Sequence, residues 1–123
     1  MRLVPLLLLA LLAAAPARDR VPDATPAGEP VDCLPITQLR ESRVRDDRTI
    51  DFYTSGRRVY RVTLPQSCPE LGFERAFSYE TSLSQLCSTD IITVFRQAPI
   101  SRGASCGMGR FQPVTLAGRE GRR

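Results

Sequence analysis

The most strand-like segment of the chain is Ile91-Ile92-Thr93-Val94-Phe95, in which Ile91 and Phe95 fall on one alternating face and Ile92 and Val94 on the other. Apolar side chains on both faces predict a central strand covered on both sides, because a half-exposed strand alternates with polar residues. Cys87 precedes it, and Asp90 between them reads as a turn residue whose side chain bonds the backbone. The clearest hairpin signal lies upstream. Residues 49–53 and 59–64 are β-rich runs around Thr54-Ser55-Gly56-Arg57-Arg58, with Gly56 expected to supply a positive φ. Ile50 and Phe52 share one face of the first run, and Tyr60, Val62 and Leu64 share one face of the second.

Elsewhere the periodicity is weaker. Residues 31–39 alternate loosely, with Cys33, Leu34, Ile36 and Leu39 available for burial. Residues 40–48 carry mixed charges and read as a solvated edge strand or loop, with Asp46-Asp47 making a turn. Pro65 ends the second hairpin strand, and residues 66–72 form a loop that holds Cys68. Phe73, Phe77 and Tyr79 then lie on one side of a period-2 pattern. Strand is favoured over helix there because Ser78, Tyr79, Thr81 and Ser82 are mediocre helix formers, although a short helix near Leu83 is compatible. A loop containing Pro99, Gly103 and Ser105 leads to Cys106, and Pro113 confines the last strand to an edge or a very short length. The pattern predicts one all-β, antiparallel domain of about six short strands over residues 31–116, a small barrel or sandwich.

The ends of the chain differ from this middle. Met1-Arg2 leads into an apolar run, residues 3–15, broken only by Pro5. At about 13 residues it suits the core of a signal peptide and falls short of the roughly 20 needed for a permanent span. Ala15-Pro16-Ala17 places cleavage after Ala17, and no Cys follows directly to receive a lipid. Residues 18–30, with Pro22, Pro26 and Pro30, read as an extended solvated linker, and residues 117–123 as a basic, frayed tail. The expected product is periplasmic or secreted, with no transmembrane anchor.

Four cysteines, Cys33, Cys68, Cys87 and Cys106, predict two disulfides in an exported chain of this size. Three pairings are open. Cys68 with Cys87 and Cys33 with Cys106 is favoured: the first closes the segment across Phe73 and Tyr79, and the second ties the first strand to the last. A loop of about 20 residues closed this way stabilises a fold by about 3 kcal/mol in the chain-entropy model. Spacings of 35, 19 and 19 positions do not suit a zinc site, and the Cys-x-x-Cys of a redox centre is absent.

Composition narrows the chemistry further. The chain has no His, no Lys and no Trp, so all 17 of its basic residues are Arg. Without His there is no near-neutral general base and no Ser-His-Asp or Cys-His machinery. Without Lys there is no Schiff base and no P-loop lysine. Loss of Arg2 with the leader reduces the net charge of +4 by one, too mild a balance to argue for nucleic acid. The sequence therefore points to a non-enzymatic protein without metal or cofactor. Arg57 and Arg58 at the hairpin tip form the candidate binding surface, suited to phosphate or carboxylate, although a solvated turn is the simpler account of them. A hydrolase would need Asp47, Asp51, Glu80 and Asp90 to converge, since carboxylates are the only acid–base groups left. An inhibitor of a periplasmic or foreign enzyme would use a rigid loop, for which residues 103–109 are the candidate.

Cys68-Pro69-Glu70-Leu71, Phe77-Ser78-Tyr79, Leu86-Cys87-Ser88-Thr89-Asp90-Ile91 and Cys106-Gly107-Met108-Gly109-Arg110-Phe111-Gln112-Pro113 occur in this order. Together with Tyr60-Arg61-Val62-Thr63-Leu64 and residues 47–52, they resemble a family of small exported bacterial proteins classified as a domain of unknown function. The resemblance covers about residues 33–114, and Thr89 stands where that family commonly has Gly. It implies an exported, disulfide-bonded domain and carries over no catalytic residues. The resulting expectation is a periplasmic module that binds another protein or a cell-envelope component, with an inhibitor or a carboxylate hydrolase as alternatives.

Overall fold

The structure, a computed structural model, describes residues 21–81 and 83–118. The predicted signal peptide, the first residues of the predicted linker and most of the basic tail lie outside the described residues. In chain order the strands are β1 (Ala24–Pro26), β2 (Cys33–Pro35), β3 (Leu39–Val44), β4 (Thr49–Thr54), β5 (Val59–Thr63), β6 (Phe77–Tyr79), β7 (Gln85–Cys87), β8 (Ile91–Gln97), β9 (Ile100–Gly107) and β10 (Gln112–Leu116). A single-turn helix, α1 (Leu71–Glu74), precedes β6. Three antiparallel sheets result: five strands in the order β1-β10-β5-β4-β3, three in the order β6-β8-β9, and the pair β2-β7. They stack as a sandwich and do not close into a barrel.

The hairpin signal forms β4 and β5, with Ile50 opposite Val62 and Phe52 opposite Tyr60. Period-2 alternation turns Ile50, Phe52 and Val62 towards Ile92 and Val94 of β8, and Leu34, Leu64, Leu71, Leu86 and Phe111 complete that core. Phe52 sits at its centre, edge-on to Phe77 at 6.2 Å and to Phe111 at 5.6 Å. Each such ring pair contributes about 0.5–1.5 kcal/mol beyond area burial.

Several expectations are corrected. The residue with positive φ at the hairpin tip is Arg57, at 61°, and Gly56 lies outside the left-handed region. Thr54 O accepts the Arg57 amide at 3.2 Å, so a three-residue loop ends in a left-handed residue one place later than the glycine suggests. β8 is central in its sheet but covered on one face only: Ile92 and Val94 are buried, whereas Ile91 is 52% and Phe95 39% exposed. Phe73 lies on α1 and is 84% exposed, so the strand starts only at Phe77, and the helix precedes it instead of falling near Leu83. Residues expected as a loop after Arg96 form β9. Gly, Ser and Ala are poor strand formers, but β8 offers a pairing edge, and a Cβ on Gly103 would press on Val94 at 3.1 Å.

Two further corrections concern the chain ends. Part of the predicted linker pairs as β1 against β10, with Ala24 opposite Leu116. Pro113 consequently lies in an interior strand. Its carbonyl accepts the Ala27 amide at 2.9 Å, and its missing N–H falls on that same side, just where β1 ends.

The disulfides are Cys33–Cys87 and Cys68–Cys106, overturning the favoured pairing. The reason is register: β2 pairs β7 with Cys33 directly opposite Cys87, and no local periodicity links those two short segments. Cys68, buried after β5, reaches Cys106 on β9 and ties two sheets together. With sequence separations of 54 and 38, each bridge is worth about 4 kcal/mol in the chain-entropy model.

Two glycines separate the roles that a glycine can have here. A Cβ on Gly109 would stand 2.5 Å from the Thr63 carbonyl oxygen, whereas one on Gly56 would meet nothing within 4 Å. Urea unfolding with disulfides intact should show Gly109→Ala losing roughly 1–3 kcal/mol and Gly56→Ala gaining about 0.4–1 kcal/mol. A loss at Gly56 would contradict the turn geometry described above.

Candidate functional site

Three of the four carboxylates considered for catalysis are engaged by the fold. Asp51 projects from β4 between Arg43 on β3 and Arg61 on β5, its directly opposed residues. It is fully buried. Arg61 donates to both of its oxygens, at 2.8 and 3.0 Å, and Arg45 Nε donates to Oδ2 at 2.9 Å. Arg45 also donates to the Tyr53 hydroxyl at 2.9 Å, and the Arg43 guanidinium lies 4.8 Å from the Tyr53 ring centre. Both carboxylate oxygens are thus taken up by guanidinium donors, which ties β4 to β5 and to the end of β3. Asp47 Oδ1 accepts the Gly72 amide at 2.7 Å while its carbonyl accepts the Cys68 amide, which docks α1 and the second disulfide. Asp90 Oδ2 accepts the Cys87 amide at 2.7 Å, closing the turn as the sequence suggested.

Glu80 is the fourth, and among the described residues its side chain has no partner. It shares a cleft of about 320 Å³ with Asp90, together with Ser78, Ile91, Thr93 and Arg102, on the outer face of the three-stranded sheet. The cleft thus brings together one unengaged carboxylate and one committed to a turn. Residues 103–107 belong to β9, so the loop proposed for plugging a foreign active site is strand over most of its length.

The predicted tip residues Arg57 and Arg58 are both exposed, and their guanidiniums have no partner among the described residues. Their backbone is fixed. Thr54 donates to the Arg58 carbonyl through its amide at 3.0 Å and its hydroxyl at 3.1 Å, and the Ser55 amide donates to the Gln38 carbonyl at 2.9 Å. Arg40 joins them. It lies at the irregularity between Leu39 and Glu41, and Leu39 pairs with Thr54 at this same end of the sheet. Arg40 is exposed, likewise unpartnered among the described residues, and lines a depression of about 160 Å³ with Leu39, Ser42 and Tyr79. Sequence reasoning missed Arg40 within the mixed-charge stretch. Folding β3 back on β4 about the Asp46-Asp47 turn and counting residues would have found it. β10 also ends here, at Leu116.

At the other end of the molecule, Arg96 on β8 donates to both oxygens of Glu70, at 2.6 and 3.1 Å, and clamps the start of α1. The Arg96 hydrogen bond holds the Glu70 carboxyl below the usual glutamate range, and the same contact raises Arg96.

Site and fold together define a disulfide-bonded antiparallel β sandwich with three exposed arginines, unpaired among the described residues, at one end of its larger sheet. No family model, curated protein or solved structure matches the chain.

Asp51→Ala leaves Arg45 and Arg61 without their buried counter-charge and should cost about 3–5 kcal/mol in denaturant unfolding. Glu70 behaves differently, because its clamp is exposed and its pKa is lowered. Its contribution is complete above the ordinary glutamate range and disappears as pH falls through the lowered value. Carboxyl-detected NMR should show Glu70 titrating below the ordinary glutamate range, and Arg96→Gln should return it towards that range.

Proposed function

We propose that this protein is an exported, non-enzymatic binding module of the bacterial periplasm whose arginine-bearing end engages phosphate or carboxylate groups of a cell-envelope component. The carrying observation is that Arg40, Arg57 and Arg58, exposed and unpaired among the described residues, all lie at the same end of a cross-linked sheet. Guanidinium forks match such anions in a bidentate manner, and a backbone already fixed by the hairpin and the Gln38 contact loses little freedom on binding. The two disulfides fit an oxidising compartment. The apolar run of residues 3–15 ahead of Ala15-Pro16-Ala17, read as a leader, and the resemblance to small exported bacterial proteins are the sequence features that favour the periplasm.

Vesicles containing phosphatidylglycerol provide the test. Residues 18–123, as the mature chain, should co-sediment with them and not with phosphatidylcholine vesicles, and binding should weaken as salt is added. Each arginine near an anionic surface contributes about 1 kcal/mol, so the combined Arg40→Ala, Arg57→Ala, Arg58→Ala variant should bind on the order of 100-fold more weakly. Absence of binding, or binding unaltered in that variant, sinks the reading.

A further inference from the structure

The outer face of the three-stranded sheet is organised in rows. Ser78, Thr93 and Ser105 stand opposite one another across β6, β8 and β9, and the Thr93 and Ser105 hydroxyls are 3.0 Å apart. This makes a hydroxyl stripe across the middle. Exposed apolar side chains flank it: Ile91 in the row on one side, Phe95 in the row on the other. The row of Ile91 contains Gly107, which carries no side chain, and Glu80 follows β6 at the same level. Asp90 adjoins it. The row of Phe95 ends in Arg102, directly opposite on β9. Glu80 and Arg102 line the same cleft, are both exposed, and bond neither each other nor any other described residue through their side chains.

We infer that this face binds a short extended peptide with free termini, its ammonium over Glu80 and Asp90 and its carboxylate on Arg102. Charge complementarity fixes the orientation: the acidic and basic groups occupy opposite ends of one cleft. Length fixes the size. The rows of Ile91 and Phe95 are four residues apart, about 13 Å at strand rise, and an extended tripeptide spans about 10 Å, with the flexible Arg102 side chain covering the remainder. Between the charged ends, Ser78, Thr93 and Ser105 offer donors and acceptors to peptide groups, while Ile91 and Phe95 contact small side chains. The site is independent of the arginine cluster, which lies on the other sheet.

The experiment is an amide chemical-shift titration of the mature chain with trialanine. Perturbations should centre on Ser78, Thr93, Ser105 and Arg102. N-acetylation or C-amidation of the peptide should each weaken binding about two- to fivefold, as expected for exposed ion pairs. Glu80→Gln should reduce the sensitivity to N-acetylation and leave that to C-amidation unchanged, whereas Arg102→Gln should abolish the sensitivity to C-amidation and leave that to N-acetylation unchanged. Both residues are exposed, and retained spectral dispersion establishes that the variants are folded. Absence of shifts on this face, equal binding of free and blocked peptides, or perturbations centred on Arg40, Arg57 and Arg58 overturns the inference.

Discussion

Two covalent cross-links hold a sandwich whose smallest layer could not hold itself. β2 and β7 are three residues each, too short for a stable pair in water, yet Leu34 and Leu86 from this ribbon are buried in the main core. The Cys33–Cys87 bridge between directly opposed residues keeps them there. Cys68–Cys106 performs the corresponding task between the end of the five-stranded sheet and β9. Once both are closed, the hairpin tip and the outer face of the small sheet are fixed relative to one core, and side chains on either can act as preorganised groups.

The distribution of arginine shows how the same residue type serves opposite ends. Arg45 and Arg61 converge on Asp51, and their removal from water is compensated by good hydrogen bonds. Arg96 is matched by Glu70 at the surface and Arg110 by Asp32. What remains unmatched among the described residues includes Arg40, Arg57, Arg58 and Arg102; the mild net charge of the chain conceals a local excess at the hairpin end, whereas Arg102 shares its cleft with Glu80 and Asp90. A mean over the sequence carries no information about this partition. It is decided by register, which sets Arg43 and Arg61 on either side of Asp51 and leaves Arg40 at the strand end.

Local signals were legible wherever one element forms from adjacent residues. The β4–β5 hairpin, the Asp90 turn and the buried set Ile50, Phe52, Val62, Ile92 and Val94 follow from alternation and turn chemistry alone. Non-local facts were not legible. The disulfide partners depend on which short strands pair, β1 is created by the edge that β10 offers, and β9 forms from weak strand formers because β8 is beside it. The misplaced positive φ has a smaller cause: loop length, not the position of the glycine, selects the left-handed residue, and it falls on Arg57. For the candidate site, Arg57 and Arg58 were visible in the sequence, whereas only strand register brings Arg40 to their end of the sheet and sets Glu80 and Arg102 in one cleft.

The order of the cysteines has a topological consequence. The pairing links the first cysteine to the third and the second to the fourth, so the two covalent loops overlap without either containing the other. One backbone cut between neighbouring cysteines leaves a single covalent unit, and so do cuts in any two of the three inter-cysteine segments. Only when all three are severed does the domain fall into two linked halves. A nested pairing would release its inner loop after two cuts. Where proteases act on whatever opens transiently, the crossed arrangement makes chain integrity a property of the whole domain instead of its weakest loop.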